Sequence, residues 1–234
     1  ITISDSGFSG NSADVSGGAI STRGSLTITG SALTDNSGDF GGGIYVDLPG
    51  TANLTNSTIS GNTAASRGGG ISNGGSVTLS SSTVFGNTAA QEGGGIHSHL
   101  ATLSVKNTIM SGDSAPIGPD VYGSLTSLGN NLIRNATNSS GWLGSDLLNI
   151  DPLLGVLGDN GGSTLTHALL AGSPAIDAGN NDGVLAIDQR GFARLVDGDG
   201  DGTATVDIGA FEYLPPPNAA PTAVGDAYTT DEDN

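Results

Sequence analysis

The sequence predicts an all-β fold: a right-handed single-stranded parallel β-helix, a solenoid with about 25 residues and three strands per rung and an irregular C-terminal cap. Three observations carry this. Gly93-Gly94-Gly95-Ile96 occurs also as Gly68-Gly69-Gly70-Ile71, as Gly41-Gly42-Gly43-Ile44 and, altered, as Gly17-Gly18-Ala19-Ile20. A second column, Asn11, Asn36, Asn62, Asn87 and Asp113, recurs at steps of 25 or 26. Between these landmarks apolar and polar residues alternate, as in Leu26-Thr27-Ile28-Thr29 and Val77-Thr78-Leu79-Ser80, which is the period of a half-buried strand.

Each element of a rung follows in order. The first strand buries two columns, Ile1, Leu26, Ala52, Val77, Leu103 and Ile3, Ile28, Leu54, Leu79, Val105. The second strand is read through Phe8, Leu33, Ile59, Val84 and Ile109. The Asn column then turns a corner, because Asn tolerates left-handed backbone and its amide can bond the amide one rung away. The Gly triplets turn the next corner with positive φ and no Cβ to clash. The third strand buries Ile20, Ile44, Ile71 and Ile96, and the spacing extends this column to Val121. Rungs stack at about 4.8 Å, so each inward side chain lands on its equivalent in the next rung.

These rungs are expected to fill residues 1–134, with Leu125, Leu128, Leu132 and Ile133 in an irregular last turn. Residues 135–213 are expected to be a C-terminal rung and cap, whose leucines (Leu153, Leu154, Leu165, Leu169, Leu170) close the open end of the helix. Pro215-Pro216-Pro217 marks a stiff linker over 214–222.

Ser57-Thr58-Ile59-Ser60-Gly61-Asn62-Thr63-Ala64 followed by Gly68-Gly69-Gly70-Ile71 resembles the repeats of polymorphic outer-membrane-type and pectate-lyase-like β-helical surface proteins, over about residues 1–125. Five ordered motifs lie further on: Asn149-Ile150-Asp151-Pro152, Leu165-Thr166-His167-Ala168-Leu169, Gly172-Ser173-Pro174-Ala175-Ile176-Asp177-Ala178-Gly179, Asp188-Gln189-Arg190-Gly191 and Asp207-Ile208-Gly209-Ala210-Phe211-Glu212. Together they resemble the C-terminal region of the bacterial choice-of-anchor Q family, over about 149–213. Ala223-Val224-Gly225-Asp226-Ala227-Tyr228 resembles the opening strand of bacterial cadherin-like or immunoglobulin-like domains, so 223–234 reads as the disordered, truncated start of one. These resemblances imply a secreted or cell-surface bacterial module with further domains of the same chain at both ends. A fold superfamily does not name one activity.

Composition narrows the function classes. Six basic residues stand against 23 acidic ones, a formal charge of −17. Nucleic acids and anionic membranes need cations to neutralise phosphate, so neither is an expected partner. No apolar run reaches the roughly 18 residues of a membrane helix, so membrane insertion is not expected. There is no cysteine, hence no disulfide and no thiol chemistry.

Two candidate sites emerge. Asp197-Gly198-Asp199-Gly200-Asp201-Gly202-Thr203, with Asp207 beyond, alternates carboxylates with glycine as calcium loops do. Asp197, Asp199, Asp201, Thr203 and Asp207 are therefore the expected ligands of a structural calcium ion. Ile208 stands where an EF-hand acid would be, and the alternative is an acidic surface turn neutralised by Arg190 and Arg194. The second site is an outward strip of Tyr45, His97 and Tyr122, with His99 beside it; the alternative is that His97 and His99 are exposed polar positions on the third strand. Aromatic faces next to polar groups suit a polysaccharide or cell-surface glycan. Arg23 and Asp47 are expected to pair one rung apart beside it.

The resulting expectation is a non-catalytic adhesive or structural module that binds polysaccharide and is stabilised by calcium. The alternative is a polysaccharide lyase or glycoside hydrolase of the pectate-lyase-like superfamily. Lyases and hydrolases need clustered carboxylates on an open face, and the acids of the rungs fall mostly in corners. The outward Thr2/Ser4, Thr27/Thr29, Asn53/Thr55, Thr78/Ser80 and Ser104/Lys106 positions form a threonine array of the kind that orders water, interrupted by Asn53 and ended by Lys106.

Overall fold

A computed structural model describes residues 1–215, and among them every regular element is a strand. The linker beyond 215 and the tail at 223–234 lie outside the described residues. Among the described residues no helix is long and apolar enough to cross a membrane.

Three parallel sheets run the length of the solenoid. The first stacks Thr2–Ser4, Ser25–Thr29, Thr51–Thr55, Ser76–Ser80, Thr102–Lys106 and Thr126–Ser127. The second stacks Gly7–Ser9, Ala32–Thr34, Thr58–Ser60, Thr83–Phe85, Ile109–Ser111, Leu132–Ile133 and Leu147–Leu148. The third stacks Ile20–Thr22, Ile44–Val46, Ile71–Asn73, Ile96–Ser98, Val121–Ser124 and Ser139–Ser140. A short fourth sheet, Ser37–Phe40, Thr63–Arg67 and Thr88–Ala89, gives the middle rungs an extra side that the three-strand reading lacked.

The registers are those of the periodic columns. Leu26, Ala52, Val77 and Leu103 are aligned partners, as are Ile44, Ile71, Ile96 and Val121. Their side chains merge into one buried core. One assignment changes. Met110, not Ile109, stands opposite Val84 and fills the inward column, while Ile109 pairs with Thr83 on the other face of the sheet. Ile109 belongs to a second apolar cluster with Leu132, Leu169, Ala175, Ile208 and Phe211.

The corners are also sharper than the sequence suggested. The left-handed residue is not the ladder asparagine but the one before it: Gly10, Asp35, Gly61, Gly86 and Gly112 all have φ between 55° and 68°. The asparagine instead bridges rungs. Asn62 receives bonds from the backbone and side-chain nitrogens of Asn36 (3.0 and 2.9 Å) and donates its own pair to Asn87 (both 2.9 Å). In each Gly triplet only the first glycine needs positive φ, as at Gly68 (66°). The second is required by proximity, since a Cβ on Gly69 would lie 2.3 Å from the carbonyl oxygen of Gly94.

The C-terminal region does not lie across the end of the helix. The end is finished by the shortened last turn, where Leu125, Ala136 and Trp142 pack on the core. The segment 150–213 instead folds back along the outer face of the second sheet as a strap. Its hairpin, Leu154–Gly158 against Thr166–Leu169, is antiparallel. His167 meets Ser60 at 2.9 Å, Gln189 accepts from Thr58 at 2.7 Å, and Thr164 donates to the carbonyl of Gly30. This placement explains why the outward face of that sheet carries Ile109 and Leu132.

Candidate functional site

The outward column of the third sheet reads Ser21, Tyr45, Ser72, His97 and Tyr122 in register. The four predicted aromatic and imidazole groups do not form one strip. Ser72 separates Tyr45 from His97, and two clefts result.

The first cleft is lined by Tyr45, Phe40, Arg23 and Asp47. Tyr45 packs on Phe40 at 6.0 Å between ring centroids. Arg23 Nε bonds Asp47 Oδ2 at 2.7 Å, as the spacing predicted, and this contact lowers the Asp47 carboxyl. Burial, then Asp47, raises the Tyr45 hydroxyl.

The second cleft, about 440 Å³, lies at the far end of the sheet. Tyr122 forms its aromatic wall, stacked on His97 (5.4 Å between centroids, 18° between planes) and tilted against His99 (5.8 Å). His97 is only 8% exposed, so it supports Tyr122 from behind and has no open face of its own. Burial lowers its pKa, Arg67 adds to this, and Glu92 at 3.4 Å opposes it. His99 is exposed. Ser98, Ser124, Asn138, Ser139 and Ser140 add hydroxyls and an amide, and no Asp, Glu, Lys or Arg lines the cleft. At its rim Leu100 is 94% exposed with φ of 58°, a left-handed backbone that branched side chains avoid. The sequence reading missed Leu100, Asn138 and the serines. Asn138, Ser139 and Ser140 lie in the last, irregular turns, where no period could have placed them beside Ser98 and Leu100.

The acidic loop gathers a different set from the predicted one. Carboxylate oxygens of Asp177, Asp197 and Asp199 lie within 4.8 Å of one another. Asp177 Oδ2 accepts the backbone N–H groups of Gly198 and Asp199, which draws the loop around it. Exposed Asp201 accepts the N–H of Thr203 and stands outside the trio, as does Thr203. Asp207 is buried; it accepts the N–H groups of Asp177 and Tyr213. Asp177 sits about 20 residues upstream, in a motif with no metal-ligand pattern, so sequence spacing gave no signal for it.

Arg190 and Arg194 do not neutralise the loop. Arg190 pairs with Asp188 at 2.7 Å and lies over the Phe211 ring at 3.5 Å. Arg194, fully buried, bonds Asn56 Oδ1 and the carbonyl of Gly209 and faces Glu212 at 3.5 Å. Burial drives the acids there upward, Asp207 to about 7 and Glu212 to about 9, and the Asp207 charge adds to the Glu212 shift.

With this geometry in view, residues 8–23 match the Chlamydia polymorphic membrane protein (Chlamydia_PMP) repeat. The matched residues belong to the first rung of the β-helix, from its second strand through its third. This repeat and the solenoid fit a surface or outer-membrane-associated module. No curated protein and no solved structure matches the chain.

Proposed function

We propose that this protein is a secreted or cell-surface bacterial adhesive module that holds uncharged polysaccharide in the Tyr122 cleft, without catalysis. The observation that carries this reading is the Tyr122 ring, backed by His97 and flanked by His99, in a cleft otherwise walled by hydroxyls and an amide. A sugar has an apolar C–H face that lies on an aromatic ring and a rim of hydroxyls that exchange hydrogen bonds. Charge favours neutral sugars, since a protein at −17 repels a polyuronate and the cleft offers no cation to offset this. Tyr45 and Phe40 form a second contact point for a long chain.

The regular rungs also argue against a lyase or hydrolase. Asp113 and Asp120, which are linked by a hydrogen bond, are buried in a corner and do not line the open face. The order of motifs over 149–213 supports a choice-of-anchor Q-type C-terminal region, and Asp177, Asp197 and Asp199 suit a structural calcium ion, being hard oxygen donors at short mutual range.

Binding of neutral and uronate oligosaccharides to the wild type and to Tyr122→Ala tests the reading. Neutral chains bind the wild type, and Tyr122→Ala loses about tenfold in affinity, the worth of one aromatic stacking contact. Unchanged binding by Tyr122→Ala sinks the site. Release of reducing or unsaturated ends sinks the non-catalytic reading.

A further inference from the structure

The asparagine ladder ends on an acid, and the reason is geometric. At every regular rung the ladder residue makes the same two bonds to the next: backbone N–H and side-chain Nδ2 both donate to Oδ1. Asn87 makes both to Asp113 Oδ1, at 2.7 and 2.9 Å. Asp113 in turn donates its backbone N–H to Asp120 Oδ1 at 3.1 Å, so Asp120 occupies the next ladder position. The second bond has no donor as long as Asp113 is ionised. Its Oδ2, where the other rungs carry an amide nitrogen, is buried and unpartnered. It is also pressed by the backbone, since a Cβ on Gly95 would lie 2.4 Å from it.

We propose that Asp113 and Asp120 hold one proton between them, that this proton completes the ladder as an Oδ2–H of Asp113 donated to Asp120, and that its loss loosens the strand Val121–Ser124 carrying Tyr122. The two acids bracket the corner that delivers the chain into that strand. The groups hydrogen-bonded to the pair agree with the assignment. Asn87 offers only donors to Asp113 Oδ1. Asp120 Oδ2 is already filled by the N–H of Asn135 at 2.7 Å, which leaves Oδ1 to receive the proton. Arg134 is exposed and paired with Asp151 at 3.3 Å; its charge opposes the rise of Asp120, and burial outweighs it. Two buried carboxylates, one of which accepts the other residue's backbone N–H, cannot both ionise cheaply. Burial raises both, with the Asp120 charge adding to the Asp113 shift, and Asp120 rises to about 6.

The sign follows. Acids raised in the folded state stabilise it fully below their unfolded value near 4. That stability is lost as pH climbs through 6 and beyond. An amide at 113 supplies the missing donor at every pH, whereas an amide at 120 sets a donor against the N–H of Asn135.

The experiment is a set of thermal melts from pH 4 to 8 on the wild type, Asp113→Asn and Asp120→Asn, with amide hydrogen exchange over Val121–Ser124 at pH 8. Asp113→Asn matches the wild type at pH 4 and melts several degrees above it at pH 8. Asp120→Asn melts below the wild type at pH 4, and exchange over the strand is slower in Asp113→Asn than in the wild type. A gap between Asp113→Asn and the wild type that does not change with pH overturns the shared proton. Stabilisation by Asp120→Asn overturns the direction of donation. Equal exchange overturns the link to the strand. None of these readouts involves a sugar, so they stand or fall apart from the glycan reading.

Discussion

The rungs and the strap hold themselves together in opposite ways. In the rungs each contact is repeated. Asn36, Asn62 and Asn87 make the same bonds, and so do Ser31, Ser57 and Ser82, whose hydroxyls accept the N–H one rung back and donate to the carbonyl two residues earlier. The strap has no repeat. It is fastened by single contacts between groups 48 to 138 residues apart, above all Arg194 with Asn56 and Gln189 with Thr58. A ladder spreads its stability over equivalent neighbours. A strap concentrates it in a few buried polar groups, where an unpaired partner is costly.

The largest expected effect therefore lies at Arg194. Its guanidinium serves Asn56, Gly209 and Glu212 at once and is wholly buried. Arg194→Ala strips those partners and should cost about 3–5 kcal/mol, the usual loss when one member of a buried ionic set is removed. The strap should come away first. Limited proteolysis should cut within 150–213, while circular dichroism still reports the β-helix. Simultaneous loss of both signals would mean that the rungs depend on the strap as much as the strap depends on them.

This contrast also sets what the sequence could reveal. Ile44, Ile71 and Ile96 were readable because a solenoid forces equivalent residues into register, so periodicity in sequence is proximity in space. The shift from Ile109 to Met110 broke that reading because two neighbouring apolar residues both fit the count. Only the strap, which covers one face of the sheet, decides which of them turns outward. The strap's own position was not legible. Its partners are corner residues such as Asn56, Asn107 and Asn130, whose positive φ marks them as turns and not as docking points. Its apolar residues suited an end cap equally well. In the candidate sites, Tyr45, His97 and Tyr122 share a column as predicted, but Ser72 splits them, and Asp177 joins Asp197 and Asp199 through a fold-back that no spacing encodes.

A smaller effect separates the two regions by pH. Arg190 and Arg194 meet three acids, Asp188, Asp207 and Glu212, so a neutral Glu212 balances the buried charge. Glu212 is raised to about 9, from an ordinary value near 4.5, chiefly by burial. Its contribution is complete below about 4.5 and is lost as pH rises toward 9, because the folded state then holds a proton that the unfolded chain has released. Glu212→Gln keeps the acceptor for the N–H of Asp207 and removes the titration. Its melting temperature should lie close to the wild type's near pH 5 and above it near pH 9. A parallel offset at both pH values would show that Glu212 carries no proton in the folded strap.

The smallest effect belongs to the loop that resembles a calcium site. Asp177, Asp197 and Asp199 already accept backbone N–H groups, so the loop has a fold of its own and an ion adds to it. The ion would act by mass action on the strap alone, where Asp177 and Asp207 tie the loop to the buried cluster. At about 100 times the dissociation constant, binding adds about 2.7 kcal/mol. Melts with calcium and with chelator should differ by a few degrees in the strap's transition and not in that of the rungs. Asp177→Asn should abolish the difference, while Asp201→Asn, outside the trio, should leave it in place. If Asp201→Asn removes the shift and Asp177→Asn does not, the ligands are those of the linear acidic motif, and the fold-back of Asp177 is only a turn.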